Sequence, residues 1–277
     1  MDVYNDNSFT KGRALLEKDK LAYAVMYNVL GGNVKKMITD SKRIIIAHTA
    51  KVYPTWIWAP DDVTEIELDQ IFHSILAEFA PVSAYRFNTK YDIATYLIRR
   101  LRESDWGDWK ITVNIAAYEC HEAQVPGKIV DGNLEQLRSS QLELAAKMIE
   151  EASIAIGDRI LSRAESHQAA REQLKQQVLY IWRDSEGKAV AFCDRNQDDN
   201  YVKISQCYTV PEERGKGYAA QMIYEICRDI IENGHIPMLY ADADYASSNR
   251  CYQKIGFALK GRIATIGKNS SSLDLSK

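Results

Sequence analysis

Two glycines, an arginine and a lysine stand side by side at Arg214, Gly215, Lys216 and Gly217, inside the stretch VPEERGKGYA. An apolar segment, YVKISQCYTV, precedes them and an amphipathic one, AAQMIYEICRDIIENG, follows. A strand ending at Val210 and a helix starting near Tyr218 would leave backbone N–H groups unpaired at the helix N-terminus, where the dipole also favours an anion. Gly215 and Gly217 remove side chains that would hold a ligand away, and Arg214 can grip a diphosphate oxygen with two donors. The chemistry is that of a phosphate cradle. A solvated basic turn is the plain alternative, because short glycine patterns recur by chance. Two widespread phosphate loops do not fit: there is no G-x-x-x-x-G-K-[ST], and no G-x-G-x-x-G in a parallel strand–helix–strand unit.

Other residues could move protons. In PMLYADAD, Asp242 and Asp244 project to one face of a strand, and either could take a proton through water. Such pairs more often solvate a surface or cap a turn. His48, His73, His121, His167 and His235 show no i, i+4 pairing with one another or with cysteine, so no metal site is expected. Cys120 and His121 are sequence neighbours on a strand and so point to opposite faces.

Elements must hold these residues in place. In the first half, LLEKDKLAYAVMYNVL reads as a helix with Leu21, Val25 and Val29 in line, stopped by Gly31 and Gly32. KRIIIAHTA, TWIWAP and AYRFN read as strands, DVTEIELDQIFHSILAEF and KYDIATYLIRRLRE as helices, and WKITVNIAAYEC as a half-buried strand. The polar segment from His121 to Asn133, with Pro126, Gly127 and Gly132, marks a boundary between residues 1–126 and 127–277. Beyond it, two helices separated near Gly157 precede three strands, VLYIWRD, KAVAFCDRN and YVKISQCYTV, whose turn-forming connections predict an antiparallel meander. A helix with Met222, Ile223, Ile226 and Ile230 in one stripe, the strand PMLYADAD, a short helix SSNRCYQKIG and a final strand complete the pattern. The fold class is mixed α/β.

The chain has 277 residues, 46% hydrophobic and 26% charged, enough for two modest domains. A formal net charge of -3 argues against a partner that is nucleic acid or an anionic membrane. Five scattered cysteines without a C-x-x-C, and an N-terminus unlike a secretory leader, predict a reduced, cytoplasmic protein.

TVPEERGKGYA followed by ADADYASSNRCYQKIGF resembles the signature of the GNAT acetyltransferase superfamily, over roughly Lys128 to Gly267. Arg214, Gly217 and Ala219 take the R-x-x-G-x-A positions, and Asn249, Tyr252, Gly256 and Phe257 those of S-N-R-x-Y-x-x-x-G-F. The resemblance implies a mostly antiparallel sheet flanked by helices, and acetyl-CoA or another acyl-CoA as cofactor. Its diphosphate would lie on Arg214, Gly215, Lys216, Gly217, Tyr218 and Ala219, with Asn249 and Tyr252 also in contact. Its pantetheine would pair with Tyr208, Thr209 and Val210 where two strands splay. The N–H of Val210 would meet the developing oxyanion, and Tyr252 would protonate, or hydrogen-bond to, the departing thiolate. Tyr245 stands where the family often has asparagine. An alkyl amine of pKa ~10.4 is neutral about once in 2,500 molecules at pH 7, a penalty of roughly 4.6 kcal/mol, so a base is useful; Asp242 and Asp244 are the candidates.

WAPDDVTEIELDQIFHSIL can be laid on TVPEERGKGYAAQMIYEIC, with AYRFNTKYDIATY falling on LYADADYASSNRCY and Tyr96 on Tyr252. This suggests a degenerate GNAT-like repeat in which Val63, Thr64, Glu65 and Ile66 replace Arg214, Gly215, Lys216 and Gly217. Such a copy would wall a substrate cleft or complete a homodimer. The expected activity is acetyl transfer to a primary amine of a small molecule; a protein or peptide acceptor, and a CoA-binding regulatory module without turnover, are the alternatives.

Overall fold

The computed structural model describes residues 1–268 except 7, 10, 157–159 and 199. Gly157, where two helices were expected to separate, thus lies outside the described residues. The chain forms two compact units. One holds Met1–Ala117, Asp242–Asp244 and the chain from Lys260; the other holds Tyr118–Ala241 and Tyr245–Leu259.

The first unit runs β1 (Asp2–Tyr4), α1 (Gly12–Leu16), α2 (Ala24–Val29), β2 (Lys36–Thr39), β3 (Ile45–His48), β4 (Thr55–Trp58), α3 (Glu65–Glu78), β5 (Phe87–Lys90), α4 (Tyr91–Glu103) and β6 (Trp109–Glu119). Its strands are ordered β1-β2-β3-β4-β5, and β4 and β5 are parallel where Thr55 faces Phe87 and Trp56 faces Asn88. The periodicities of α3 and α4 place Ile71, Phe72, Ile75 and Phe79 with Ile93, Leu97 and Leu101 in one core over Ile38, Ile46 and Ile57.

The single helix expected from LLEKDKLAYAVMYNVL is broken, with a 3₁₀ turn at Glu17–Asp19 between α1 and α2. Its periodicity is overridden by burial: Leu21 is inside, Val25 is 53% exposed, and Tyr23 is fully enclosed with its hydroxyl donating to Ile57 O at 3.3 Å. Asp19 accepts from Trp58 Nε1 at 2.7 Å and pairs with Lys90 at 2.8 Å.

The second unit contains β7 (Asn133–Gln136), α5 (Leu142–Ile156), α6 (Arg163–Gln176), β8 (Leu179–Arg183), β9 (Ala189–Asp198), β10 (Tyr201–Thr209), α7 (Tyr218–Glu232), β11 (Ile236–Asp242) and α8 (Ala246–Ile255); β12 (Ala258–Lys268) begins here and passes into the first unit. The strand order is β11-β10-β9-β8-β7. The meander β8–β9–β10 is antiparallel, as its turn residues predicted, and β10 with β11 is the parallel pair. One face is covered by α5 and α6, whose Ala145, Met148, Ile149, Ala152 and Ala170 pack on Leu179, Ile181, Phe192 and Tyr208. The stripe Met222, Ile223, Ile226 and Ile230 of α7 is buried, as its spacing required.

Candidate active site

The site begins at an irregularity in β10. Its parallel ladder with β11 joins Tyr201–Ile204 to Ile236–Leu239 and then stops, although both strands continue. At the same place the ladder with β9 shifts between Ser205 and Tyr208, where Gln206 has a φ of 52°. Two residues, Gln206 and Cys207, therefore oppose the single Cys193, a bulge that bends β10 away from β11 and opens a gap along Ser205–Thr209.

Hydrogen bonding decides which backbone groups line that gap. Val210 N–H donates to Val190 O at 3.0 Å. The expected role of the Val210 amide as oxyanion donor is thereby corrected, because the group is spent on β9. In an antiparallel pair the bonding direction alternates, so it is Thr209 whose N–H and C=O turn toward the gap. Thr209 O accepts from Arg214 Nε at 3.1 Å, and the Arg214 guanidinium stands 5.6 Å from the centre of the Tyr208 ring.

After Val210, a 3₁₀ turn at Pro211–Glu213 leads into the glycine loop. Gly215 and Gly217 have φ of 75° and 108°, conformations that cost other L-residues about 1–2 kcal/mol. A Cβ on Gly215 would meet nothing within 4 Å, so the backbone there borders open space. Gly217 caps α7 without any side-chain hydrogen bond, and the first turn, starting at Tyr218 and Ala219, carries no acidic residue. That arrangement leaves α7's leading amides to an external anion. Lys216 pairs with Glu213 at 2.7 Å, and Lys188 joins it at 2.9 Å.

Hydrogen bonds from Lys188 and then Lys216 hold the Glu213 carboxyl below the usual range. A depressed carboxylate contributes stability above its unfolded pKa of about 4.3, and that contribution is lost as pH falls through the folded value. Glu213→Gln should therefore flatten the acid limb of a thermal-unfolding titration; a limb as steep as the wild type's would show that the two lysines add nothing.

Tyr252 lies on α8 with its ring 6.4 Å from that of Tyr118 and 6.0 Å from that of Phe257. Cys207 is its strongest titratable influence. Burial, followed by the neighbouring Cys207, pushes the phenol far above its usual range. Full proton transfer to a thiolate becomes more uphill, whereas a hydrogen bond from the neutral phenol is retained. Cys207 comes from the bulge, and strand alternation sets it on the face opposite Tyr208, with Cys193. The cysteines, free throughout, are less scattered than the sequence suggests: Cys193 and Cys207 influence each other's ionisation, as do Cys120 and Cys227.

Three predicted site residues have structural work instead. Asn249 accepts from the Tyr118 hydroxyl at 2.9 Å and donates to Tyr245 O at 2.8 Å, so both ends of its amide are engaged inside the unit. β11 ends at Asp242, so Asp244 lies in the following turn and strand alternation does not put both on one face. Asp242 Oδ1 accepts from Asp244 N–H at 2.9 Å, and Asp244 accepts from Asn114 Nδ2 at 3.0 Å. Tyr245 is 61% exposed.

Two functional candidates escaped the sequence reading. Glu151 of α5 acts electrostatically on the buried Tyr208 hydroxyl, helping burial to raise its pKa. Lys128, assigned to a linker, has its Cδ 3.6 Å from the position of a Cβ on Gly217. A cavity of about 290 Å³ on α5 and α6 is lined by Glu143, Lys147, Glu150, Arg163 and His167.

A bulged strand, a gap beside it and an uncapped glycine-led helix can be set against known proteins. The FR47-like protein family matches residues 178–264. A GCN5-related N-acetyltransferase from Sphaerobacter thermophilus superposes with a TM-score of 0.62 at 13% identity, over 92% of this chain and 89% of that one. A GNAT-family acetyltransferase from Colwellia psychrerythraea gives 0.60 at 13% identity, over 96% and 99%. This is the GNAT fold. The curated beta-lysine N(6)-acetyltransferase of Methanosarcina mazei is 27% identical over 95 residues, 33% of this chain and 35% of that protein. The chain thus spans about a third of the curated relative it matches. The curated relative and both of these solved structures are named as acetyltransferases.

The first unit has in β4, α3, β5 and α4 the same order of strand, loop, helix, parallel strand and helix that the second has in β10, α7, β11 and α8. Its loop is closed from within. Thr64 and Glu67 form a capping box, with Thr64 N–H donating to Glu67 at 2.7 Å and Glu67 N–H donating to the Thr64 hydroxyl at 3.3 Å. Tyr23, Asp19 and Lys90 fill the space beside β4 and β5. Tyr96, which aligns with Tyr252, donates to Asp69 at 2.7 Å. No helix of the described residues is long and apolar enough to cross a membrane.

Proposed function

We propose that the second unit transfers an acetyl group from acetyl-CoA to the primary amine of a small molecule, by direct attack with both bound. The observation that carries this reading is the coincidence, within one unit, of the bulge at Gln206–Cys207 and the uncapped N-terminus of α7. The residues fit the cofactor: backbone around Gly215 borders open space, α7 presents amides without a side-chain cap, and Thr209 turns its N–H to the gap. When bound, acetyl-CoA supplies an activated acyl thioester.

The protein's own groups do the rest. The amides of Gly217, Tyr218 and Ala219 with Arg214 hold the diphosphate, and the edge of β10 at Tyr208 and Thr209 orients the pantetheine as an added strand would be oriented. Thr209 N–H is placed to meet the acyl oxygen. Tyr252 keeps its proton and offers it as a hydrogen bond to the leaving sulfur. Glu151, whose charge is felt at the Tyr208 hydroxyl and which pairs with Lys147 at 3.8 Å, supplies negative charge to an approaching ammonium group. A small amine is favoured by the name of the curated relative, which acts on the N(6) amine of beta-lysine. The proton that the ammonium must lose before attack goes to solvent, at a cost of about 4.6 kcal/mol at pH 7 for an unperturbed alkyl amine, since Asp242 and Asp244 are committed to their turn.

Thiol release from acetyl-CoA over a panel of diamines and amino acids tests the reading. Amine-dependent release supports it. Tight CoA binding without release for any acceptor would make the unit a CoA sensor, and release only with peptides would overturn the small-molecule assignment. Arg214→Glu should weaken CoA binding about tenfold or more, measured by calorimetry, because it puts a like charge beside the diphosphate; unchanged affinity would remove Arg214 from the site.

A further inference from the structure

The segment that joins β6 to β7 forms neither helix nor strand, yet it is fixed at both ends. Near β6, Cys120 N–H donates to Pro237 O at 2.9 Å and Gln124 N–H to Ile255 O at 2.7 Å. Near β7, Gly132 has a φ of 132° and lies so close to β8 that a Cβ there would stand 2.0 Å from Arg183 O. Between these anchors the segment crosses the glycine loop. The point a Cβ would occupy on Gly217 is 3.1 Å from Val130 Cγ1, 3.6 Å from Lys128 Cδ and 3.7 Å from Lys128 O. With Cδ over the cap of α7, the Lys128 ammonium, two bonds further on, is confined to the neighbourhood of the helix N-terminus.

The loop's own cations are engaged in full at Lys216 and in part at Arg214. Lys216 is paired with Glu213 at 2.7 Å, and Arg214 reaches back through Nε to Thr209 O at 3.1 Å. Lys128 is exposed, and no hydrogen bond or ion pair of its ammonium occurs among the described residues. A diphosphate seated on α7 carries more charge than Arg214 alone offsets, and a flexible ammonium on an anchored segment suits that demand.

We propose that Lys128 is a diphosphate ligand, a cation brought to the CoA loop by the β6–β7 segment in place of Lys216. The proposal rests on the acyl-CoA reading and adds a residue outside the recognised motif. Titration of CoA and of 3′-dephospho-CoA into wild type, Lys128→Gln, Lys128→Glu and Lys128→Arg tests it. Lys128→Gln should bind both ligands about tenfold more weakly, as for one lost charge-assisted contact. Lys128→Glu should lose more, and Lys128→Arg should stay near wild type, an outcome that a packing role for the side chain would not give. Added salt should shrink the gap between wild type and Lys128→Gln.

Lys128→Gln and Lys128→Glu both binding CoA within twofold of wild type would overturn the proposal and leave the cofactor reading standing. A loss seen with CoA but not with 3′-dephospho-CoA would contradict the diphosphate assignment. A wild type that binds neither ligand would overturn the cofactor reading itself, and this proposal with it.

Discussion

Tyr252→Phe should lower amine-dependent thiol release by about 100-fold while CoA affinity stays within about twofold of wild type. The substitution keeps a ring between Tyr118 and Phe257, at centroid distances of 6.4 and 6.0 Å, and deletes the oxygen alone. What is lost is a donor to the leaving sulfur, which matters only as charge develops there, so the effect falls on turnover and not on binding. Burial keeps the phenol neutral well beyond its ordinary pKa, so the wild-type rate should show no descending limb from this group up to about pH 10. Turnover unchanged in Tyr252→Phe would reduce the residue to a packing element. A drop in affinity equal to the drop in rate would make it a cofactor contact without a part in the chemistry.

Gly256→Ala should destabilise the second unit by on the order of 3 kcal/mol, read as a lowered midpoint in denaturant unfolding. Gly256 caps α8 at a φ of 108°, and a Cβ there would stand 2.3 Å from Glu122 O, a backbone atom that cannot swing aside. The two costs act together, because relieving the clash requires moving the same segment that carries Lys128. A midpoint within experimental error of wild type would show that the segment yields easily, and the anchoring argument for Lys128 would weaken with it.

The motif glycines therefore divide by task. Gly217 leaves the leading amides of α7 without a side-chain cap and makes room for Val130 and Lys128, whereas Gly256 serves the fold by admitting the Glu122 carbonyl. Spacing in the sequence located both but could not separate these roles, since each requires positive φ. The meander, the α7 stripe and the glycine loop were legible because local periodicity and turn chemistry decide them. The breakage of LLEKDKLAYAVMYNVL was not, because long-range contacts of Tyr23 and Asp19 override a good helical pattern.

The Val210 amide turns to β9 for a comparable, long-range reason. Which N–H faces the gap depends on pairing with β9, and a bulge at Gln206–Cys207 sets that parity without any glycine or proline to announce it. Asp242 and Asp244 were read by strand alternation, which lapses once the strand ends at Asp242. Lys128 and Glu151 were invisible because their partners, Gly217 and Tyr208, lie far along the chain. In the first unit, Val63, Thr64, Glu65 and Ile66 read in sequence as replacements for the loop residues; the structure adds that Thr64, with Glu67, caps α3, supplying from within the carboxylate that α7 leaves to a ligand.

Calorimetric titration of the intact chain with CoA tests the central claim most directly. The account predicts saturable one-site binding that Arg214→Glu weakens at least tenfold and that 1 M salt reduces. No detectable heat at millimolar CoA for a chain shown by circular dichroism to be folded would contradict it.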